Sequence, residues 1–368
     1  MIIRIPKKKK EEVLFDKKKK SDKNYVIKKL REFGFFELNS SENNVKVRKC
    51  MPTGLAALDV ISARDINGVF GLPFGKQIEI SGKPDSGKTS LMLQIAAKAQ
   101  SLGYTVVWLE TEESINETRA SIIGANVDEF MMKDPDHLEQ ALSLIKKTAT
   151  ILPRFSEKNY KDNEGMIILW DSVAATPTKN EYSEPKKKDG DDGKEYGGGG
   201  IAEFARIMSM YERKIKKRIS DRNVMIIYCN QLKDKIGTFG FGDKSQTYGG
   251  NALRFHCSIR IYTTYTGKIK DSKGKNIGIT IKVENKKNKI LVPWMKFEGQ
   301  EFLFNSGFNK EQSLLLALEQ RELAIKKGTE YCVHGLDTSE TYKMGEFIKL
   351  TRNNPWIAKK LREAIDVL

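Results

Sequence analysis

"EISGKPDSGKTSL", residues 79–91, joins a short apolar run to a glycine-bounded turn and then to Lys-Thr at the start of a helical pattern. Gly82-Lys83-Pro84-Asp85-Ser86-Gly87-Lys88-Thr89 fits the phosphate-loop pattern GxxxxGK[ST] without a mismatch. The two glycines let backbone N–H groups turn inward on phosphates. The helix that runs on through Ser90 points its positive end at the same place. Lys88 supplies a point charge for the β/γ oxygens, and Thr89 a hydroxyl for Mg²⁺. The stretch predicts a nucleoside-triphosphate and Mg²⁺ site between a strand and a helix. It leaves open what the nucleotide energy drives.

Working outward, short apolar runs alternate with helical patterns from about 49 to 300, the mark of an α/β domain. Strands are expected at 76–82, 104–110, 165–171, 223–230, 257–265 and 277–286. The earlier runs lack alternation and suit strands covered on both faces; the later ones alternate more, as in an antiparallel extension at one side. A phosphate loop needs a carboxylate at the end of another strand, and "MIILWDSVA" offers Asp171. "VVWLETEES" sets Glu110 and Glu112 two apart, on the same side of an extended chain, where one can orient the attacking water. Asn230 and Gln231 end a further strand, and a neutral amide there would sense the γ-phosphate.

The chain has 368 residues and a formal charge of +16. Lysine runs at 7–10 and 17–20 form either a solvated basic arm or an arm that touches nucleic acid. A polyanionic partner is favoured. Four cysteines and three histidines are scattered without metal-site spacing, so reduced thiols and a cytoplasmic location are expected. No run of eighteen apolar residues suggests a membrane span, and the first apolar patch is too short for a signal peptide core. One amphipathic helix is expected around "NYVIKKLREFGFFEL" (24–38). Two charged or glycine-rich segments, 181–200 and 234–251, break the α/β rhythm as long functional or disordered loops do. From about 308 a small, mostly helical C-terminal domain follows.

Together these stretches resemble the RecA family of homologous-recombination ATPases over roughly residues 25–368. "TGLAALDV…GLPFGKQIEISGKPDSGKTSL" (53–91) resembles the entry to the family's core, and "WLETEES" the strand carrying its catalytic glutamate, which falls on Glu112. "ILWDSVAATPTKNE" resembles the second nucleotide motif, with Asp171 as its acid. "NQLKDKIG…YGGNALRF" resembles the second DNA-binding loop, with Gln231 as nucleotide sensor. "KNKILVPW" (287–294) resembles the segment that crosses a subunit interface, so Lys287 and Lys289 would reach a neighbour's ATP. "NNPWIAKKLRE" resembles the end of the small C-terminal domain.

The resemblance implies a basic N-terminal arm with an oligomerisation helix over 1–48 and a RecA-like core, a mostly parallel twisted sheet flanked by helices, over 49–305. A small α+β C-terminal domain over 306–368 completes the expected division. It implies ATP and Mg²⁺ as ligands, catalysis by Glu112, Lys88 and Gln231, and Thr89 and Asp171 at the metal. Single- and double-stranded DNA, other copies of the chain, and single-strand-binding and loader proteins are the implied partners. DNA loop one would span about 181–200, with Lys186, Lys187, Lys188, Gly198, Gly199 and Gly200, and Arg206 on the helix beyond it. Loop two would span about 232–250, with Lys233, Lys235, Phe239, Lys244, Gly249 and Gly250, bordered by Asn251. Such loops track a flexible strand without reading its sequence. Phe33, Arg254 and Phe255 are the expected filament contacts.

There are departures. Where bacterial members carry an Asp and an adenine-stacking Tyr after the glutamate, this chain has Asn116 and Arg119. The extra charge in loop one and the basic arm suit a divergent, phage- or virus-encoded member. A ring helicase of the same core fold and a non-catalytic DNA-binding filament are the other readings.

Overall fold

The apolar runs become strands covered on both faces, and that burial organises the rest. The computed structural model describes residues 23–35, 46–113, 115–157, 159–161, 163–183, 200–234, 245–336 and 340–367. The chain forms two compact units, 1–46 and 47–368. In the first, helix α1 (Lys23–Glu32) is shorter than its apolar pattern suggests. Gly34 takes φ 81° and the Phe35 N–H turns back to the Leu30 carbonyl. Both lysine runs and residues 36–38 lie outside the described residues.

The second unit opens with a small antiparallel sheet of β1 (Cys50–Met51), β2 (Ala63–Arg64) and β3 (Phe70–Pro73), ordered β1-β3-β2, beside the buried helix α2 (Ala56–Ser62). A ten-stranded sheet follows. Its strands are β4 (Gln77–Gly82), β5 (Thr105–Glu110), β6 (Met131–Lys133), β7 (Met166–Asp171), β8 (Val224–Asp234), β9 (Ser245–Thr247), β10 (Ile259–Lys270), β11 (Asn276–Asn288), β12 (Lys296–Leu303) and β13 (Gly307–Phe308). The order is β13-β12-β11-β10-β4-β8-β7-β5-β6, with β9 paired to β8. From β10 through β6 neighbours run parallel, and β10 to β13 form the antiparallel extension.

Six helices belong to this part: α3 (Lys88–Ser101), α4 (Glu117–Ile123), α5 (Leu138–Thr148), α6 (Lys179–Tyr182), α7 (Gly200–Ile219) and α8 (Ala252–His256). Alternate residues of one strand show which helices cover which face. Ile167 and Leu169 of β7 join Leu91, Met92 and Ile95 of α3, whereas Ile168 and Trp170 join Leu142 of α5 and Met208 of α7. Each such side chain, fully buried, contributes about 1.5–3 kcal/mol.

Parallel register carries the carboxyl ends of several strands to one edge. Gly82 stands opposite Gln231, and Glu110 opposite Asp171. The chain closes with α9 (Lys310–Gln320), a three-stranded sheet of β14 (Ala324–Lys327), β15 (Glu330–Val333) and β16 (Tyr342–Lys343), then α10 (Met344–Asn353) and α11 (Pro355–Val367). This α+β segment is joined to the core by Ala57 N–H on Ser313 Oγ (3.1 Å) and by Arg362 on the buried Asp59 (3.0 Å). No helix among the described residues is long and apolar enough to cross a membrane.

Candidate nucleotide and DNA site

The phosphate loop lies between β4 and α3. Gly82 has no room for a side chain: a Cβ would sit 2.1 Å from Ser86 Oγ and 2.5 Å from Thr263 Oγ1. Gly87 takes φ 83° and opens α3 with no side-chain cap. The first-turn N–H groups thus lack a capping side chain at the end where the helix dipole favours an anion. Lys83, Pro84 and Asp85 form the exposed crest, and Ser90 is buried behind it. Lys88 Nζ donates to the Lys83 carbonyl at 3.0 Å, and Thr89 Oγ1 donates to Asp171 Oδ2 at 2.8 Å.

Asp171 ends β7 fully buried, and its Oδ1 has no hydrogen-bond partner. Burial pushes its carboxyl up to about 6, against hydrogen bonds from Cys229 and Thr89 that favour the charged form. A cation beside Oδ1 would remove that cost, so Asp171 and Thr89 fit Mg²⁺. No cluster of three His, Cys, Asp or Glu among the described residues could hold a metal. Substrate phosphates and water would complete the shell, as Mg²⁺ prefers.

The expected pairing of Glu110 with Glu112 on one side of an extended chain is corrected by the end of β5 at Glu110. Glu110 folds back into the protein, accepting from Trp108 Nε1 (3.0 Å) and from the Glu112 N–H (3.0 Å). Glu112 stands free of the strand and meets two other elements there. Its Oε1 accepts from Ser172 Oγ and from Gln231 Nε2 at 3.0 Å. The exits of β5, β7 and β8 thereby converge beside the phosphate loop.

Residues 24–309 match the RecA N-terminal domain family. The chain is 33% identical over 314 residues to "Protein RecA" of Chlamydia pneumoniae, covering 85% of this chain and 79% of that protein. It is 30% identical over 298 residues to "Protein RecA" of Haemophilus ducreyi strain 35000HP, covering 81% and 73%. The chain belongs to the RecA family. Membership brings the ATPase and recombinase activity of the family, with DNA binding and filament assembly in general terms.

In this RecA-family chain the remaining candidates fall in several places. Asn116 N-caps α4, accepting from the Arg119 N–H at 2.9 Å, and the Arg119 side chain is exposed. Of loop one, Lys186, Lys187, Lys188, Gly198 and Gly199 lie outside the described residues; Gly200 opens α7, and Arg206 is exposed on it. Of loop two, Lys235, Phe239 and Lys244 lie outside them. Lys233 sits over the Tyr248 ring at 4.7 Å, and Tyr248 packs edge-on against Phe204 at 5.2 Å, so that ring is engaged in packing. Gly249 and Gly250 turn with φ 83° and 66° ahead of Asn251, the residue before α8.

Lys287 and Lys289 are far from the chain's own phosphate loop. Lys289 N–H donates to the Ser258 carbonyl and Ser258 N–H to the Gln77 carbonyl, five residues before Gly82. That is about 16 Å along the strand. Lys287 hydrogen-bonds the carbonyls of Arg254 and Phe255, and Lys289 that of Phe255 at 3.1 Å. Burial, with Lys289 beside it, brings the Lys287 ammonium down to about 8. The neighbouring Phe255 ring is 66% exposed.

Sequence reading missed a buried network behind the site. Arg260 of β10 pairs with Glu79 of β4, and its Nη2 reaches Thr247 Oγ1 at 3.2 Å. Asn230 Nδ2 donates to Glu79 Oε1 (2.9 Å) and to the Tyr248 carbonyl (3.0 Å), while its Oδ1 accepts from the Gln231 N–H (2.9 Å). The strand under the phosphate loop is thus tied to both ends of loop two. The available signal was a lone charge in each of two apolar strands, "QIEIS" and "CSIRIY".

Proposed function

We propose that this protein is an ATP-dependent recombinase that assembles on single-stranded DNA as a helical filament and pairs it with homologous double-stranded DNA. The observation that carries the reading is the meeting of Glu112, Asp171-Ser172 and Gln231 beside the phosphate loop, on strands that lead to both DNA loops. β8 runs without a break from Gln231 to Asp234, into the first residues expected for loop two.

Lys88 and the first-turn N–H groups of α3 hold the β- and γ-phosphates, with Thr89 and Asp171 as the residues for Mg²⁺. When bound, that ion neutralises charge on the phosphate oxygens. Glu112 accepts a proton from the attacking water, which adds to the γ-phosphorus as ADP leaves. Gln231, hydrogen-bonded to Glu112, can turn its amide to the γ-phosphate and carry that change into loop two. Loop lysines 186, 187, 188, 233, 235 and 244 neutralise DNA phosphates, with Arg206 beside them. Phe239 contacts bases, and the glycines at 198–200 and 249–250 let the loops follow the strand. Lys287 and Lys289 complete a neighbour's site, and Arg119 takes the adenine face that Tyr covers in bacterial members. The divergent loop one and basic arm fit a phage or viral source and a cytoplasmic site of action.

D-loop formation with homologous duplex, alongside electron microscopy, tests this. ATP-dependent D-loops on filaments are expected; rings that unwind duplex without pairing would replace the reading with a helicase. DNA filaments without turnover or pairing would leave a scaffold.

A further inference from the structure

We infer that a basic pocket at the C-terminal end of α7, with the cationic stripe leading to it, docks the phosphate backbone of double-stranded DNA. This rests on reading the protein as a DNA recombinase, but adds a surface that continues from Arg206 beside loop one and extends beyond both glycine-rich loops.

The pocket, of about 370 Å³, is lined by Thr150, Arg154, Lys214, Lys217, Arg218 and Arg222. Among the described residues, five cations and no carboxylate line it. Two acids adjoin it, Asp221, which receives Arg222 Nη1 at 2.9 Å and Arg154 Nε at 3.2 Å, and Glu157, which accepts from the Arg154 N–H at 2.8 Å; together they offset two charges of five. Helix polarity explains cations such as Lys217 and Arg218 in the last turn of α7. It does not explain why Arg154 and Arg222, from outside that helix, converge on the same cavity. Arg222 is 9% exposed, with Nε on the Leu152 carbonyl (2.9 Å) and Nη1 on the Arg218 carbonyl (2.5 Å). Its guanidinium is therefore fixed in place before any ligand arrives. Clustered like charges repel, and an anion in their midst reverses that cost.

The stripe identifies the kind of anion. Arg206, Arg213, Lys214 and Lys217 are exposed at helical spacing along α7, which starts at Gly200 where loop one ends. From Arg206 to Lys217 they span about 16 Å of straight helix. The carboxylates of α7 do not interrupt them: Glu212 is buried on the opposite face, and Glu203 accepts from Asn180 Nδ2 at 2.7 Å. Of the aromatics nearby, Tyr211 has Lys146 and Lys214 over its ring at 5.6 and 5.9 Å, and Phe155, next to Arg154, has Arg48 over its ring at 4.9 Å and packs edge-on against Tyr160 at 5.2 Å. With these rings engaged by cations or by each other, phosphates rather than bases are the ligand. A row of cations along a helix, with the neighbouring rings already engaged, suits a stiff duplex, whose bases are turned inward. The pocket adjoins the start of β8, about 23 Å along that strand from Gln231. It is thus separate from the nucleotide edge.

The test is the triple variant Lys214→Ala/Lys217→Ala/Arg218→Ala, whose side chains are all exposed. A fluorescent duplex is titrated onto protein already assembled on unlabelled single strands with a non-hydrolysable ATP analogue. Duplex affinity at low salt should fall at least about tenfold, and the log–log salt slope should flatten by about 2.7 for three lost contacts. The Lys214→Arg/Lys217→Arg variant should bind as the parent does, and single-strand-stimulated ATPase should stay unchanged in both. Unchanged duplex affinity and slope in the triple variant overturn the inference. Equal competition by polyglutamate also overturns it and assigns the surface to an acidic protein segment. A parent protein with no single-strand-stimulated ATPase would defeat the recombinase reading instead.

Discussion

Glu112 is poised by two neighbours, Ser172 and Gln231, and not by the strand that precedes it. Glu112→Gln should therefore lower kcat by about 10²–10⁴ with little change in KM for ATP, the range for losing a general base. ATP-dependent DNA binding should persist, as read by anisotropy beside a steady-state ATPase assay. A folded variant that loses both would show that Glu112 holds nucleotide or structure instead. At this scale the phosphate loop was fully legible, because its spacing is local and its chemistry needs consecutive backbone atoms. Local spacing left Glu110 and Glu112 open and the family resemblance pointed to Glu112; the physical reason lies outside local sequence, in β5 ending at Glu110 and Trp108 taking up that carboxylate.

Strands β4, β8 and β10 carry buried polar groups that tie the strand before the phosphate loop to Thr247 and Tyr248. Arg260→Met leaves Glu79 charged and unpaired in the sheet, at a cost of about 3–5 kcal/mol by urea denaturation. Adding Glu79→Met should recover most of that stability, while DNA stimulation of the ATPase stays low because Thr247 and Asn230 have lost their anchors. Full recovery of stimulation would mean the network only stabilises the fold. Behind β4 and β8, Glu212 accepts from Tyr228 Oη (2.9 Å) and from Gln77, and burial pushes its carboxyl up to about 8. Between its ordinary value of 4.5 and about 8, the folded chain keeps a proton that the unfolded chain has released. Stability thus falls as pH rises through that window. Glu212→Gln should flatten this part of the pH–Tm profile and gain a few kcal/mol near pH 9. An unchanged profile would place the titration elsewhere. These elements were legible as strands from their apolar runs; their cross-links were not, because they join residues about 15 to 180 apart in sequence.

At the scale of the whole molecule, Lys287 and Lys289 project from the end of the sheet opposite the phosphate loop, so one chain cannot complete its own site with them. Lys287→Ala/Lys289→Ala and Lys88→Ala should each be nearly inactive alone. Mixed, they should regain ATPase activity, since the first supplies an intact phosphate loop and the second intact lysines. No recovery across mixing ratios, with assembly confirmed by light scattering, would remove the lysines from a shared site. By itself the sequence determined the phosphate loop, the strands that bracket it and the family. All of these are written in local spacing and in runs of apolar side chains. Tertiary structure decided which glutamate meets Gln231, how a buried arginine ties β4 to loop two, and that five cations from separate segments share one pocket. Such choices rest on parallel register and helix packing, which bring together residues that no local pattern connects.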